Sequence, residues 1–223
     1  MTTVLRDRRE GGRLLATKLR RFAGRPDVVV LGLPRGGIPV AHEIAIALGA
    51  PLDAFVVRKL GVPGYEELAM GAIAAGGVRS LDRATIERLG VRREAVEAVI
   101  AREERELERR ERLYRGGRPA PAVHGRTVIL VDDGLATGAS VRAAIAALRA
   151  QAPAAIVVAA PVGSASTCDE MRSLADGCVC VVTPEPFHGV GAWYADFSQT
   201  TDAEVRELLG DAPRHAAPAL SSA

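Results

Sequence analysis

The segment VILVDDGLATGAS, residues 128–140, runs from a continuous apolar stretch into two adjacent carboxylates, a tight turn and the opening of a helix. An apolar stretch without alternation is how a strand covered on both faces of a parallel sheet reads. The turn carries Thr137, Gly138 and Ser140. A helix opening leaves backbone N–H groups without partners and presents the positive end of its dipole, so such a turn is an anion site. Thr137 and Ser140 add hydroxyl donors, and Gly138 lets the backbone approach an anion closely.

Working outward, apolar runs at 28–31, 54–57, 127–131, 155–160 and 178–182 are rich in Val and Ile and continuous. Helical patterns lie between them. Ile38, Ala41, Ala45 and Leu48 recur at helical spacing with Gly49 as C-cap, and Val141, Ile145 and Leu148 form a second stripe. Strand–helix alternation predicts an α/β fold, a doubly wound and mainly parallel sheet. Two regions break the alternation. Residues 61–117 are too long for one crossover: a glycine-rich piece over 61–77 reads as a mobile loop, followed by a long helix over 93–114. Its charged run 103–112, in which Glu106–Arg110 and Glu108–Arg112 have favourable spacing, reads as a solvated face. The stretch 183–200 holds Phe187, Trp193, Tyr194 and Phe197, half of the eight aromatics, and reads as a small hood. Residues 1–210 are expected to form one domain, with a frayed tail over 211–223.

Ligands of open parallel sheets bind beyond the C-terminal strand ends. There the sequence places GLPRGG (32–37), Arg58-Lys59, the Asp132-Asp133 loop and PVGS (161–164), which should converge on one edge. Two carboxylates can accept hydrogen bonds from a vicinal diol. A diol next to a phosphate describes a ribose 5-phosphate. Neither a G-x-G-x-x-G nor a Walker A sequence is present, so dinucleotide and nucleoside-triphosphate readings lack their key parts.

A hydrophobic fraction of 48% against 25% charged residues is enough to bury a core without disulfides. The net charge of +2 gives no argument for nucleic acid. Lys18 and Lys59 are the only lysines, which makes Lys59 at a strand end informative. Cys168, Cys178 and Cys180 form no CxxC pair and read first as buried structural thiols, with a metal site second. The opening residues lack an apolar signal region and no stretch is long enough to span a bilayer, so a cytoplasmic location is expected.

Residues 128–140 resemble the signature with which type I phosphoribosyltransferases bind 5-phosphoribosyl-1-pyrophosphate (PRPP). LGLPRGGIPVA (31–41) resembles that family's pyrophosphate loop, and RKLGVPGYEELAMGAIA (58–74) is similar to bacterial stand-alone members. The resemblance implies that Asp132 and Asp133 hold the ribose hydroxyls, directly or through Mg²⁺, and that Ala136, Thr137, Gly138, Ala139 and Ser140 cradle the 5-phosphate. Arg35, Gly36 and Gly37 would contact pyrophosphate, with a non-proline cis peptide expected at 34–35 or 35–36, and Arg58 and Lys59 would be its cationic partners. Phe187, Trp193 and Tyr194 would stack on a nitrogenous acceptor or pack in the core, with His188 beside them. The family is commonly homodimeric.

Two departures stand out: Gly134 occupies a position usually aliphatic, and Ala136 one where 6-oxopurine-specific members carry an aspartate. Glu66 and Glu67 are candidate substitutes for that carboxylate. An alternative is a regulator that binds PRPP or a nucleotide without turnover.

Overall fold

The structure is a computed structural model that describes residues 4–212 apart from 76, 117 and 119, and not the side chain of Glu67. The elements in chain order are α1 (Arg8–Lys18), β1 (Val28–Gly32), α2 (Gly37–Leu48), β2 (Leu52–Ala54), β3 (Val57–Val62), β4 (Tyr65–Ala74) and β5 (Val78–Leu81). Then come α3 (Arg83–Arg88), α4 (Arg93–Arg115), β6 (Thr127–Val131), α5 (Ala139–Arg149), β7 (Ala155–Val162), α6 (Ala165–Leu174), β8 (Gly177–Val182) and α7 (Asp202–Asp211).

The central sheet is parallel throughout, in the order β2-β1-β6-β7-β8. Alternate residues of each strand feed opposite layers. Val28, Val30, Ile129 and Val131 pack with α1, α2, α4 and α7, while Val29, Leu31, Val128 and Leu130 pack with α5 and α6. This is the doubly wound sheet that the unbroken Val/Ile runs predict. The α2 helix ends on Gly49 in the left-handed conformation (φ 62°), and α4 runs one residue past its expected end.

Four readings need correction. The run 54–57 is not one strand: Ala54 ends β2, and Phe55 and Val56 lead out of the sheet into β3. Phe55 still donates to the Gly32 carbonyl (2.9 Å), so hydrophobicity stays continuous while the ladder changes. Arg58 and Lys59 therefore lie inside β3 of a separate antiparallel sheet, β3-β4-β5, rather than at a parallel strand end. The piece 61–77 is largely this hairpin, not a loop. Its glycines serve close backbone approach at bulges: a Cβ on Gly61 would lie 2.6 Å from the Glu66 carbonyl oxygen, and one on Gly71 2.4 Å from that of Ser80. Finally, Glu103 on α4 is not solvated but buried, 7% exposed.

Short helices at either end complete the layers. Asp7 caps α1 by accepting from the Glu10 N–H (2.7 Å), and the Glu10 carboxylate accepts in return from the Arg6 N–H. Gly11 and Gly12 let α1 lie against Pro161 and the Val40 backbone. Arg115, only 4% exposed, ties the end of α4 to Asp53 and to the Ala54 carbonyl (2.8 Å). Asp211 closes α7, and residues 213–223 of the expected tail lie outside the described residues. No helix among the described residues is long and apolar enough to cross a membrane.

Candidate active site

The loop after β6 is built from its backbone upward. Leu135 is buried and bridges to Gly163 beyond β7, with its N–H donating to Val162 (2.8 Å) and its carbonyl accepting from Ser164 (3.0 Å). That anchor leaves Ala136 and Thr137 exposed at the mouth of α5. Gly138 stands at the N-cap with φ 71°, and a Cβ there would press on Thr167 at 2.9 Å. The Thr167 hydroxyl in turn donates to the Ala136 carbonyl (2.6 Å). The loop is thus held from behind by α6, while Ala136, Thr137 and Ser140 stay exposed at a helix N-terminus that suits an anion.

Gly36 and Gly37 bring the 32–37 loop against this one. A Cβ on Gly36 would fall 1.9 Å from an Asp133 carboxylate oxygen, and one on Gly37 2.6 Å from the Val131 carbonyl oxygen. A side chain at Gly37 would meet backbone and push the two segments apart, while one at Gly36 would displace the Asp133 carboxylate. The Pro34–Arg35 peptide, just before Gly36, is cis. Burial, and then the neighbouring Asp133 charge, push the Asp132 carboxyl well above its ordinary range. Asp133 pairs with Arg8 of α1 (2.8 Å), and Arg8 also lies over the Phe197 ring (4.0 Å). Nothing in the sequence singles out Arg8, because its partner stands 125 residues away.

Beside these loops a cavity of about 400 Å³ is lined by Pro34, Arg58, Lys59, Glu66, Glu103 and Ser140, among others. Arg58 donates twice to one oxygen of Glu103 (2.8 and 2.6 Å). Burial alone would raise Glu103, but hydrogen bonds from Arg58 and Arg102 outweigh it and hold the carboxyl below its ordinary range. Arg35 is half-exposed, its guanidinium 4.0 Å from Asp202. A smaller hollow, about 150 Å³, opens over Asp132, Gly134 and residues 136–141, and it shares Ser140 with the larger one.

The hood follows β8. Leu5, Val162 and Tyr194 form its buried centre, with Phe187, Val190 and Trp193 packed around them. Tyr194 is 6% exposed, stacks on Phe197 with ring centroids 5.1 Å apart, and donates its hydroxyl to the Asp133 carbonyl (2.6 Å). Its position is that of a prop under the carboxylate loop. Phe187 and Trp193 are half-buried, the Trp193 indole N–H having no hydrogen-bond partner among the described residues, and His188 is exposed. Val190 explains Gly134: a Cβ there would meet the Val190 methyls at 2.3 and 2.5 Å, so the hood fills the space an aliphatic residue would take. The Glu66 carboxylate accepts from the Gly64 N–H (3.3 Å) and lines the larger cavity.

A five-stranded parallel sheet with these loops at its C-terminal edge defines a type I phosphoribosyltransferase fold. The phosphoribosyl transferase domain family model matches residues 5–192, and the chain belongs to that family. Over 213 residues it is 45% identical to two Mycobacterium tuberculosis proteins, one from strain CDC 1551 / Oshkosh and the other, from strain ATCC 25618 / H37Rv, named "Putative phosphoribosyl transferase Rv0571c". That match covers 96% of this chain and 48% of each relative, so the chain spans about half the length of the curated relatives it matches. Among solved structures it is similar to TT1426 from Thermus thermophilus, at 41% identity and a TM-score of 0.84, covering 92% of this chain and 97% of that one.

Proposed function

We propose that the chain transfers the 5-phosphoribosyl group of PRPP to a small nitrogenous acceptor, a nucleobase in the first instance, and releases pyrophosphate. The observation that carries this reading is the contact of Gly36 and Gly37 with the Asp132-Asp133 segment, beside an outward-facing loop at the mouth of α5. Residues 136–140 would take the 5-phosphate. Asp132 and Asp133 would hold the ribose hydroxyls. Arg35, Gly36, Gly37, Arg58 and Lys59 would meet the pyrophosphate, and Phe187 and Trp193 would face the acceptor.

In this reaction the bond from C1 to the pyrophosphate oxygen breaks and a bond from C1 to the acceptor nitrogen forms, with inversion. The transition state is oxocarbenium-like, so the chain's work is positioning and electrostatic stabilisation. The two carboxylates are the hard oxygen donors that suit Mg²⁺, which would neutralise charge on the departing pyrophosphate. Arg8 already offsets the charge of Asp133. Glu103 orients Arg58 toward one side of the cavity, and donor binding would redistribute that pairing. We extend the reading to a cytoplasmic homodimer, checked by light scattering of the purified chain.

Calorimetric titration of PRPP with Mg²⁺ into wild type and an Asp132→Asn/Asp133→Asn variant tests the site. Micromolar binding lost in the variant is expected, followed by pyrophosphate release on screening nitrogenous bases. No binding by a folded wild type sinks the reading. Binding without release across the bases makes the chain a sensor of PRPP.

A further inference from the structure

All three cysteines of the chain meet in space although the sequence separates them. Cys168 comes from α6, and Cys178 and Cys180 from one face of β8, whose opposite face sends Val179 and Val181 into the other core layer. Their sulfur atoms all lie within 4.8 Å of one another, with 2.8 Å between Cys168 Sγ and Cys180 Sγ. Cys168 is fully buried, while Cys178 and Cys180 are half-buried, so the cluster is reachable from one side. Its inner wall is Gly163, where a Cβ would lie 2.7 Å from the Cys168 sulfur and 3.4 Å from that of Cys180. No step of the proposed transfer uses these groups.

We propose that Cys168, Cys178 and Cys180 form a trithiolate site for one thiophilic d¹⁰ divalent cation of the zinc class. Three thiolates from two elements in mutual reach are the donor set that soft and borderline cations select over Mg²⁺. Binding replaces three S–H protons by three metal–sulfur bonds, releases three protons and needs no oxidant; a water completes the fourth position. The resulting unit carries one negative charge, and Arg172, one turn after Cys168 on α6 and paired with Asp169, is a cation near it. The site lies directly behind the anion-binding loop: Gly163 bridges to Leu135, and Thr167, next to Cys168, holds the Ala136 carbonyl. Metal binding therefore clamps α6 to β8 and stiffens the loop from below.

The test uses the reduced 223-residue chain, Zn²⁺ or Cd²⁺ alone, and native mass spectrometry with calorimetry. One ion per chain, an ultraviolet sulfur-to-cadmium charge-transfer band and a raised melting temperature are expected. Cys178→Ala and Cys180→Ala, both at half-buried positions, should each weaken binding by at least about 100-fold while melting cooperatively without metal. The Asp132→Asn/Asp133→Asn variant should bind Zn²⁺ unchanged. The proposal is overturned if the reduced wild type takes up no ion. It also fails if the triple Cys→Ser variant binds Zn²⁺ as well as wild type, or if a Cys168–Cys180 disulfide persists in glutathione buffer and excludes the metal.

Discussion

At the scale of single residues, Asp132 sets its proposed role against stability. Burial and the adjacent Asp133 charge raise its carboxyl above the ordinary value of 3.8. As pH rises past that value the unfolded chain ionises first, so the native state loses stability until the folded carboxyl ionises as well. Asp132→Asn removes this penalty and keeps an oxygen to accept from the Asp133 N–H, a bond of 2.9 Å in the native loop. The variant should melt about 2–4 °C higher than wild type at pH 7, corresponding to about 1 kcal/mol, while PRPP binding is lost. Differential scanning calorimetry at pH 4 and pH 7 checks the first half: the gap should open with rising pH. The meeting of the Asp pair, Gly36-Gly37 and residues 136–140 at one edge was legible in sequence order, because each segment follows an apolar run. Arg8 was not, since a contact between α1 and the β6 loop leaves no local trace. The fit of Gly134 to Val190 was hidden for the same reason.

Among elements, the parallel strands were the most readable, since covering on both faces demands unbroken Val and Ile. The antiparallel hairpin was the least readable. Its glycines are needed for bulges and close backbone approach, which in composition look the same as a flexible loop. The α1 helix was obscured by Gly11 and Gly12, which lower helix propensity yet let it approach its neighbours. The hairpin is tied to α4 through Arg58 and Glu103, whose side chains are 29% and 9% exposed. A carboxyl held below its unfolded value stabilises the fold above that value and loses the contribution as pH falls through the folded one. Glu103→Gln should therefore cost about 1–3 kcal/mol at pH 7, and the deficit should shrink as the solution is taken below pH 4.5, the group's ordinary value. Urea denaturation of both proteins at pH 7 and pH 3.5 measures it. An equal deficit at both values would mean that packing, not charge, links hairpin to helix.

Over the whole molecule, the N-terminal segment and the hood close on each other across the end of the sheet. Leu5 donates to the Trp193 carbonyl (2.9 Å), accepts from the Ala195 N–H (2.7 Å) and is fully buried beside Tyr194. This small cluster is separate from the two main core layers. Leu5→Ala should cost about 2–4 kcal/mol locally, within the range for a buried leucine. Amide exchange should accelerate at residues 190–196 and in the 132–138 loop while β1 and β6 stay protected, as expected of a subglobal unit. Uniform acceleration would instead make the molecule a single cooperative unit.

The meeting of Gly134 with Val190 carries a lesson for anyone recombining members of this family. A loop transplanted from a relative with a bulky residue at position 134 would collide with this chain's hood, and a small residue at 190 would leave a hole beneath the native loop. The loop after β6 and the hood of this protein must therefore travel together in any chimera, as one heritable block, although more than fifty residues of chain lie between them.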